Sequence, residues 1–351
     1  MDQSFTALFA HRSDTRTNIV GTYALLLVGN GFAWTWAFVQ FGGRPALLGT
    51  ALLAYLFGLR HAVDADHIAA IDNVVRKLMR EGQKPLAVGL FFSLGHSTVV
   101  ALATVAVAAS AATLQTRFEA FRSVGSIIGT GVSALFLFAI AASNLVILAS
   151  VWQSFRNAHR GDKIVPEHLD SLLVGGGVLE RVFRALFRLV SKSWHMYPIG
   201  LLFGVGFDTA TEIGLLGVSS AQVVQGMSLW SMLIFPALFA AGMVLVDTTD
   251  GVFMVGAYGW AFANPIRKLW YNLTITTISV LAALMIGSIE AFALMADKLK
   301  FGGSFWIIVG ELNASLGTVG FAVVFVFAAC WVISALVYRW RGCDVLTPDS
   351  R

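Results

Sequence analysis

The chain has 351 residues, of which 57% are hydrophobic and only 13% charged, with a formal net charge of +4. A charged fraction so far below the roughly 25% of soluble domains, with a mean hydropathy of +0.76, excludes a soluble protein and leaves a polytopic membrane protein. Cys330 and Cys343 form neither a disulfide framework nor a metal-spaced pair, and the basic residues sit between apolar segments rather than spread as a nucleic-acid surface.

The opening MDQSFTALFAHRSDTRTN is mostly polar, and the first apolar run begins near Ile19 without a cleavage pattern. A retained first helix is expected there rather than a signal peptide. Apolar runs long enough to cross a bilayer predict eight helices, at about 19–39, 46–71, 85–110, 124–152, 197–219, 229–254, 272–296 and 305–338. The predicted class is all-α, with a single membrane transport domain over 1–351. Pro45 and Pro85 stand at helix beginnings, where a missing donor is tolerated, while Pro236 lies inside the sixth helix and predicts a bend. Residues 153–196 form the one long connection, net basic and placed between two halves. Within it VLERVFRALFRLV, 178–190, spaces Arg181, Arg184 and Arg188 like an amphipathic surface helix; a plain basic tether is the alternative.

Lys and Arg set the orientation. With the N-terminus inside, 18 of them fall in inner segments and five in outer ones, with Arg60 left over. The bias places both termini in the cytoplasm.

Ionisable residues cluster where hydrocarbon is expected. PALLGTALLAYLFGL runs without a break into RHAVDADHIAAIDN, so the second helix carries His61, Asp64, Asp66 and His67. The third carries Ser93, His96 and Ser97, the fifth Asp208 and Glu212 within GFDTATE, and the sixth Asp247 and Asp250 within GMVLVDTTD; Glu290 and Glu311 lie in the last two. Charge at such depth normally marks an ion path or a bundle interior. On a straight helix His61, Asp64 and His67 make a stripe ~120° wide, and Asp66 falls ~140° from His61 on the other side. Either the helix is locally opened, or Asp66 serves a neighbouring helix. Imidazole with carboxylate suits a first-row divalent cation, and the absence of cysteine from the cluster speaks against copper(I). Interhelical hydrogen bonding is the structural alternative for the histidines, and a solvated helix end for Asp250. Asp208 and Glu212 share a face four residues apart, so a cation, a proton or solvent must relieve their repulsion. Arg60 is the expected counter-charge. LFGL at 56–59 resembles LFGV at 202–205, and FSLGHS at 92–97 resembles FAAGMV at 239–244, which suggests an inverted repeat of the kind transporters use.

At these residues the chain resembles the nickel/cobalt transporter family of eight-helix permeases. The family's pattern of His, four residues, Asp and His appears as His61, Asp66 and His67, and its other signatures look like LFFSLGHSTVV, GFDTATEIGLL and LFAAGMVLVDTTDG. The resemblance implies high-affinity uptake of Ni²⁺ across the bacterial inner membrane, with weaker Co²⁺ transport. Neither a cofactor nor an ATPase partner is implied. His61, Asp66 and His67 take the metal-handling role, and Asp64, His96, Asp208, Glu212 and Asp247 complete the candidate metal set. Asn30 and Val63 match positions tied to nickel-over-cobalt preference. Neutral imidazoles are needed for ligation, so uptake is expected to weaken in acid. A manganese or zinc permease is the nearest alternative; a membrane metal receptor without flux and an intramembrane protease are the more distant ones.

The Lys and Arg distribution is tested by reporter fusions after Thr113 and after Asp162, which should report outside and inside respectively. The reverse pair of results would overturn this topology.

Overall fold

The computed structural model describes residues 3–109, 124–125, 127–142, 144–145, 148–149, 190–205, 228–262, 265–316, 318–323, 325–326 and 329. Among them every regular element is helical: α1 (Gln3–Phe41), α2 (Pro45–His61), α3 (Ala65–Arg80), α4 (Val88–Ala109), α5 (Ile127–Ala142), α6 (Met196–Gly204), α7 (Ile234–Phe262), α8 (Pro265–Leu299) and α9 (Ser304–Ala314). The chain is an all-α membrane protein. Four stretches are each long and apolar enough to cross, namely Thr17–Phe41, Val88–Val105, Trp230–Gly259 and Thr276–Leu299, and the bent pair α2 and α3 makes up to five. The spans expected at 124–152, 197–219 and 305–338 run partly outside the described residues, and of the amphipathic segment 178–190 all but Val190 lies outside them.

The exterior of the molecule is unlike that of a water-soluble fold, while its largely apolar core also encloses a polar cluster. On α1, Leu26, Ala33, Ala37 and Phe41 are buried, while Leu27, Val28, Phe32 and Val39 on the other faces are 65–75% exposed. Leu102, Leu135, Trp230, Leu281 and Ile307 continue this apolar exterior on other helices. Meanwhile His61, His67, Asp72, Arg76, His96, Asp247, Thr248 and Glu290 are buried. Large apolar surface outside and polar groups inside is what a bilayer solvent selects, since lipid welcomes the first and cannot satisfy the second.

Two of the predicted helices are interrupted. The helix predicted over 46–71, straight or locally opened, is two helices meeting at 51°. α2 closes with tight turns, Val63 N donating to Arg60 O at 2.9 Å and Asp64 N to His61 O at 3.0 Å. Asp64 is then extended (φ −63°, ψ 143°) at the N-cap of α3, where its side chain makes no cap hydrogen bond and turns back to His61. The second half of this pair also runs on to Arg80, nine residues past the expected end. Pro236, expected to bend the sixth helix, lies within the span Trp230–Gly259, where a helical turn over Leu229–Met232 stops at Leu233 and α7 restarts at Ile234, an interruption placed where a proline removes donor and space from the preceding turn.

α3 is the inner post of the bundle. Every residue from Asp64 to Arg76 is buried, with α4, α7 and α8 packed around it. Around that post the helices approach through glycine. A Cβ on Gly58 of α2 would collide with the Phe239 carbonyl of α7, and one on Gly242 with the Tyr55 carbonyl and Leu59 amide. The crossing of α6 and α4 repeats this joint: a Cβ on Gly200 would strike the Phe92 carbonyl, and one on Gly95 the Tyr197 carbonyl and Leu201 amide. Tyr55-x-x-Gly58-Leu59 on Phe239-x-x-Gly242 thus corresponds to Tyr197-x-x-Gly200-Leu201 on Phe92-x-x-Gly95. The Phe-x-x-Gly pairing is the one read from FSLGHS and FAAGMV. The LFGL match is shifted by one turn, because Gly58 corresponds to Gly200 and not to Gly204.

Small residues of this kind let helix backbones pack closely where no hydrophobic effect drives association. Gly58→Ala and Gly200→Ala should each destabilise the protein by about 1–3 kcal/mol through overpacking, measured as thermal unfolding in detergent. Gly29→Ala, at a position with nothing within 4 Å, should melt like the parent. A parent-like melt for both joint variants would refute the packing argument.

Candidate metal centre

The break between α2 and α3 is what gathers the site. His61 ends α2 and His67 sits in the first turns of α3, so the 51° bend turns both rings toward one point. Their centroids lie 4.7 Å apart, and His96 from α4 completes a triangle at 4.8 Å from His61 and 4.9 Å from His67. One ring nitrogen from each histidine can be chosen so that all three lie within 4.8 Å of one another. All three residues are buried. Phe92 stands edge-on to His67 at 4.8 Å and Phe239 lies 5.6 Å from His61, so the triangle has an aromatic collar.

Two of the imidazoles are held by carboxylates. Asp64 Oδ2 lies 3.0 Å from His61 Nδ1, and Asp247 Oδ2 lies 3.2 Å from His67 Nδ1. Each carboxylate accepts a hydrogen bond from Nδ1–H, in the tautomer that turns the unprotonated Nε2 of the ring toward the triangle. Carboxylate-held histidines of this form are typical metal ligands, because the partner fixes the tautomer and raises the basicity of the ring. His67 Nε2 has no hydrogen-bond partner among the described residues, and His61 Nε2 faces His96 Nε2 at 3.0 Å. Asp247 is held in turn: Ser93 Oγ donates to its Oδ2 at 2.5 Å while also lying 2.9 Å from Gly89 O. Gly89 permits this, since a Cβ there would run into the Asp247 carbonyl. Three imidazoles in a nearly dry pocket, with two carboxylates behind them, are a donor set for a borderline first-row dication.

The sequence-based candidates separate into groups. His61, His67 and His96 come together, one ring nitrogen of each lying within 4.8 Å of the others. Asp64 and Asp247 touch the histidines instead of joining the triangle, and Asp66 is buried beside it with Oδ1 lacking a hydrogen-bond partner among the described residues. The bend thus resolves the geometry that a straight helix left open. Asn30 lies on α1, its Nδ2 donating to Leu26 O at 2.9 Å and to Ala241 O of α7 at 3.3 Å. Val63 is the middle residue of the bend. Asp208 and Glu212 lie outside the described residues. Arg60, expected as the counter-charge, is exposed, whereas Arg76 lies 3.6 Å from the buried carboxylate of Asp72.

Residues 47–337 match the family model described as high-affinity nickel-transport protein. The chain belongs to the high-affinity nickel-transport family. It is 56% identical over 329 residues to the "High-affinity nickel transport protein" of Cupriavidus necator, covering 94% of each chain. It is 52% identical to the "Hydrogenase nickel incorporation protein HupN" of Bradyrhizobium diazoefficiens, over 94% of this chain and 88% of that one. It is also 38% identical to the "Cobalt transport protein NhlF" of Rhodococcus rhodochrous, over 86% of this chain and 87% of that one. No solved structure matches it.

In this member of the family a second buried polar layer lies five residues further along α3. Asp72 accepts from Tyr258 OH and from Ser279 Oγ, the latter at 2.8 Å. Its Oδ2 also lies 3.6 Å from Arg76 Nη2. Arg76 donates in addition to Asn73 Oδ1 at 2.5 Å, an oxygen shared with Asn144 Nδ2. Sequence reasoning missed this layer because Arg76 was counted among loop cations. The available signal was the i, i+4 spacing of Asp72 and Arg76, the standard separation of a helical ion pair. Asp72→Ala would leave the Arg76 guanidinium buried without its carboxylate, which should cost about 3–5 kcal/mol. Thermal unfolding in detergent measures this, and a loss below about 1 kcal/mol would show that water reaches Arg76.

Proposed function

We propose that the chain is a high-affinity permease that carries Ni²⁺ into the cell, with Co²⁺ as a weaker cargo. The observation that carries this reading is the convergence of His61, His67 and His96 at a helix break, in a chain of the high-affinity nickel-transport family. The 38% identical relative named as a cobalt transport protein supports cobalt as a second cargo. The ion sheds water on entering the collar of Phe92 and Phe239 and is held by Nε2 of His67, with His61 and His96 beside it. Asp64 and Asp247 keep the imidazoles oriented, and Asp66 compensates charge at the site. Release follows when the bend between α2 and α3 changes and the three rings part.

Energy for inward movement is available from the membrane potential, about 2.3 kcal/mol per elementary charge per 100 mV. In this reading the whole chain forms one transport domain in the inner membrane of a bacterium, with both termini and residues 153–196 in the cytoplasm. It is a carrier and not a catalyst. Asn30 and Val63 set the preference for nickel.

His61→Ala and His67→Ala should each abolish high-affinity uptake while insertion persists, and Asp247→Ala should lower uptake by roughly 10–100-fold through loss of ring orientation. The measurement is ⁶³Ni uptake per correctly inserted molecule. Near-parental uptake in both histidine variants would remove the triangle from the transport path.

In competition at equal trace concentrations, nickel should be taken up in large excess over cobalt. Equal transport of the two ions would sink the role given to Asn30 and Val63, while leaving the carrier reading intact.

A further inference from the structure

We infer that Gly320 is a positioning residue for the nickel site, acting through the bend that carries His61 and His67. The inference rests on the three-histidine reading above. Beyond α9, residues 318–323 are helical and cross over the break between α2 and α3. Gly320 is buried there. A Cβ added to it would overlap the Val63 carbonyl oxygen and would lie 2.9 Å from Val63 C and 3.0 Å from Ala65 N. All three atoms are backbone, and all three belong to the bend. No rotamer change relieves such a collision, unlike a contact with the end of a long side chain.

The geometry of that short segment fixes the site. Val63 lies two residues after His61 and four before His67, so a shift of its peptide changes the separation of the two rings, now 4.7 Å between centroids. From within, the bend is held by the Val63-to-Arg60 and Asp64-to-His61 backbone hydrogen bonds. From outside, it is held by the face of Gly320, whose helical stretch is itself anchored by buried Leu316 and Val323 in the cluster that includes Ala65 and Ile68. A methyl group at residue 320 needs about 3.5–4.0 Å to its neighbours, so either the bend or the covering helix must move. Metal–ligand distances tolerate only about 0.2 Å. A side chain at residue 320 therefore reaches the histidines through one peptide unit, although it touches none of them.

The test is nickel transport by Gly320→Ala in proteoliposomes, beside His67→Ala and Gly310→Ala; Gly310 has nothing within 4 Å of its added Cβ. Gly320→Ala should raise the KM for nickel roughly 10–100-fold, the range found when a residue supporting a metal ligand is lost. It should also alter the nickel-to-cobalt uptake ratio and the visible absorption of Co²⁺ bound to the purified protein. Neither of the last two readouts follows from a loss of folded protein alone. Gly310→Ala should match the parent in all three. If Gly320→Ala does not insert, Leu316→Ala and Val323→Ala loosen the same stretch without a collision and should shift the KM and the ratio in its place. Parental values for Gly320→Ala, or for both substitutes, would overturn the inference. Parental uptake by His67→Ala would instead overturn the reading of the site.

Discussion

A helix that stops and restarts within a bilayer frees peptide groups that hydrocarbon cannot hydrogen-bond. The break at residues 62–64 meets this demand in two ways. Its own tight turns use the Arg60 and His61 carbonyls, and the elements packed around it keep it from lipid. That enclosure in turn requires backbones to come closer than side chains allow, which is why glycines stand at the crossings of α2, α4, α6 and α7 and over the bend itself. Close packing, the polar interior of α3 and the meeting of the histidines are consequences of one requirement.

The same enclosure shapes the chemistry. Imidazoles that donate hydrogen bonds from Nδ1 to Asp64 and Asp247 offer nitrogen lone pairs in a pocket lined by phenylalanine. A dication leaving water is repaid by basic nitrogens, and the nearby carboxylates lower the cost of placing two positive charges there. Asp72 and Arg76, deeper along α3, are charge-paired with each other and hydrogen-bonded on several sides. The interior therefore holds an ordered sequence of environments along one helix, electron-donating at His67 and cationic at Arg76.

Helix content, membrane class and the residues of the triangle were all legible in the sequence. Apolar run length reports on spanning segments directly, and histidine or aspartate in such runs stands out because lipid excludes it. The break was less legible. No proline or glycine stands between His61 and Ala65, and the apolar pattern gives no cue. Asp64 at an N-cap position with Asp66 in the first turn was the available signal, but in a cluster already read as metal ligands a new helix start was hidden. Burial was misread for Arg76 and Arg60 in opposite senses: Arg76 fell beyond the span predicted at 46–71 and counted as solvated, while Arg60 fell within it and was paired with the buried cluster. Which aspartates touch histidines, and which touch arginine, depends on tertiary contacts that spacing along one chain does not encode.

The repeated glycine joint has a consequence for how the molecule is made. Each joint pairs a helix from the earlier part of the chain with one from the later part, α2 with α7 and α4 with α6. At synthesis rates of roughly 5–20 residues per second, the ribosome needs on the order of ten to forty seconds to proceed from Gly58 to Gly242. Through that interval the glycine face of α2 lacks its partner, and Asp64, Asp66 and His67 lack the wall that α7 supplies. The newborn chain must shelter a polar helix that the finished protein encloses, so the insertion machinery or the early helices have to act as its temporary solvent.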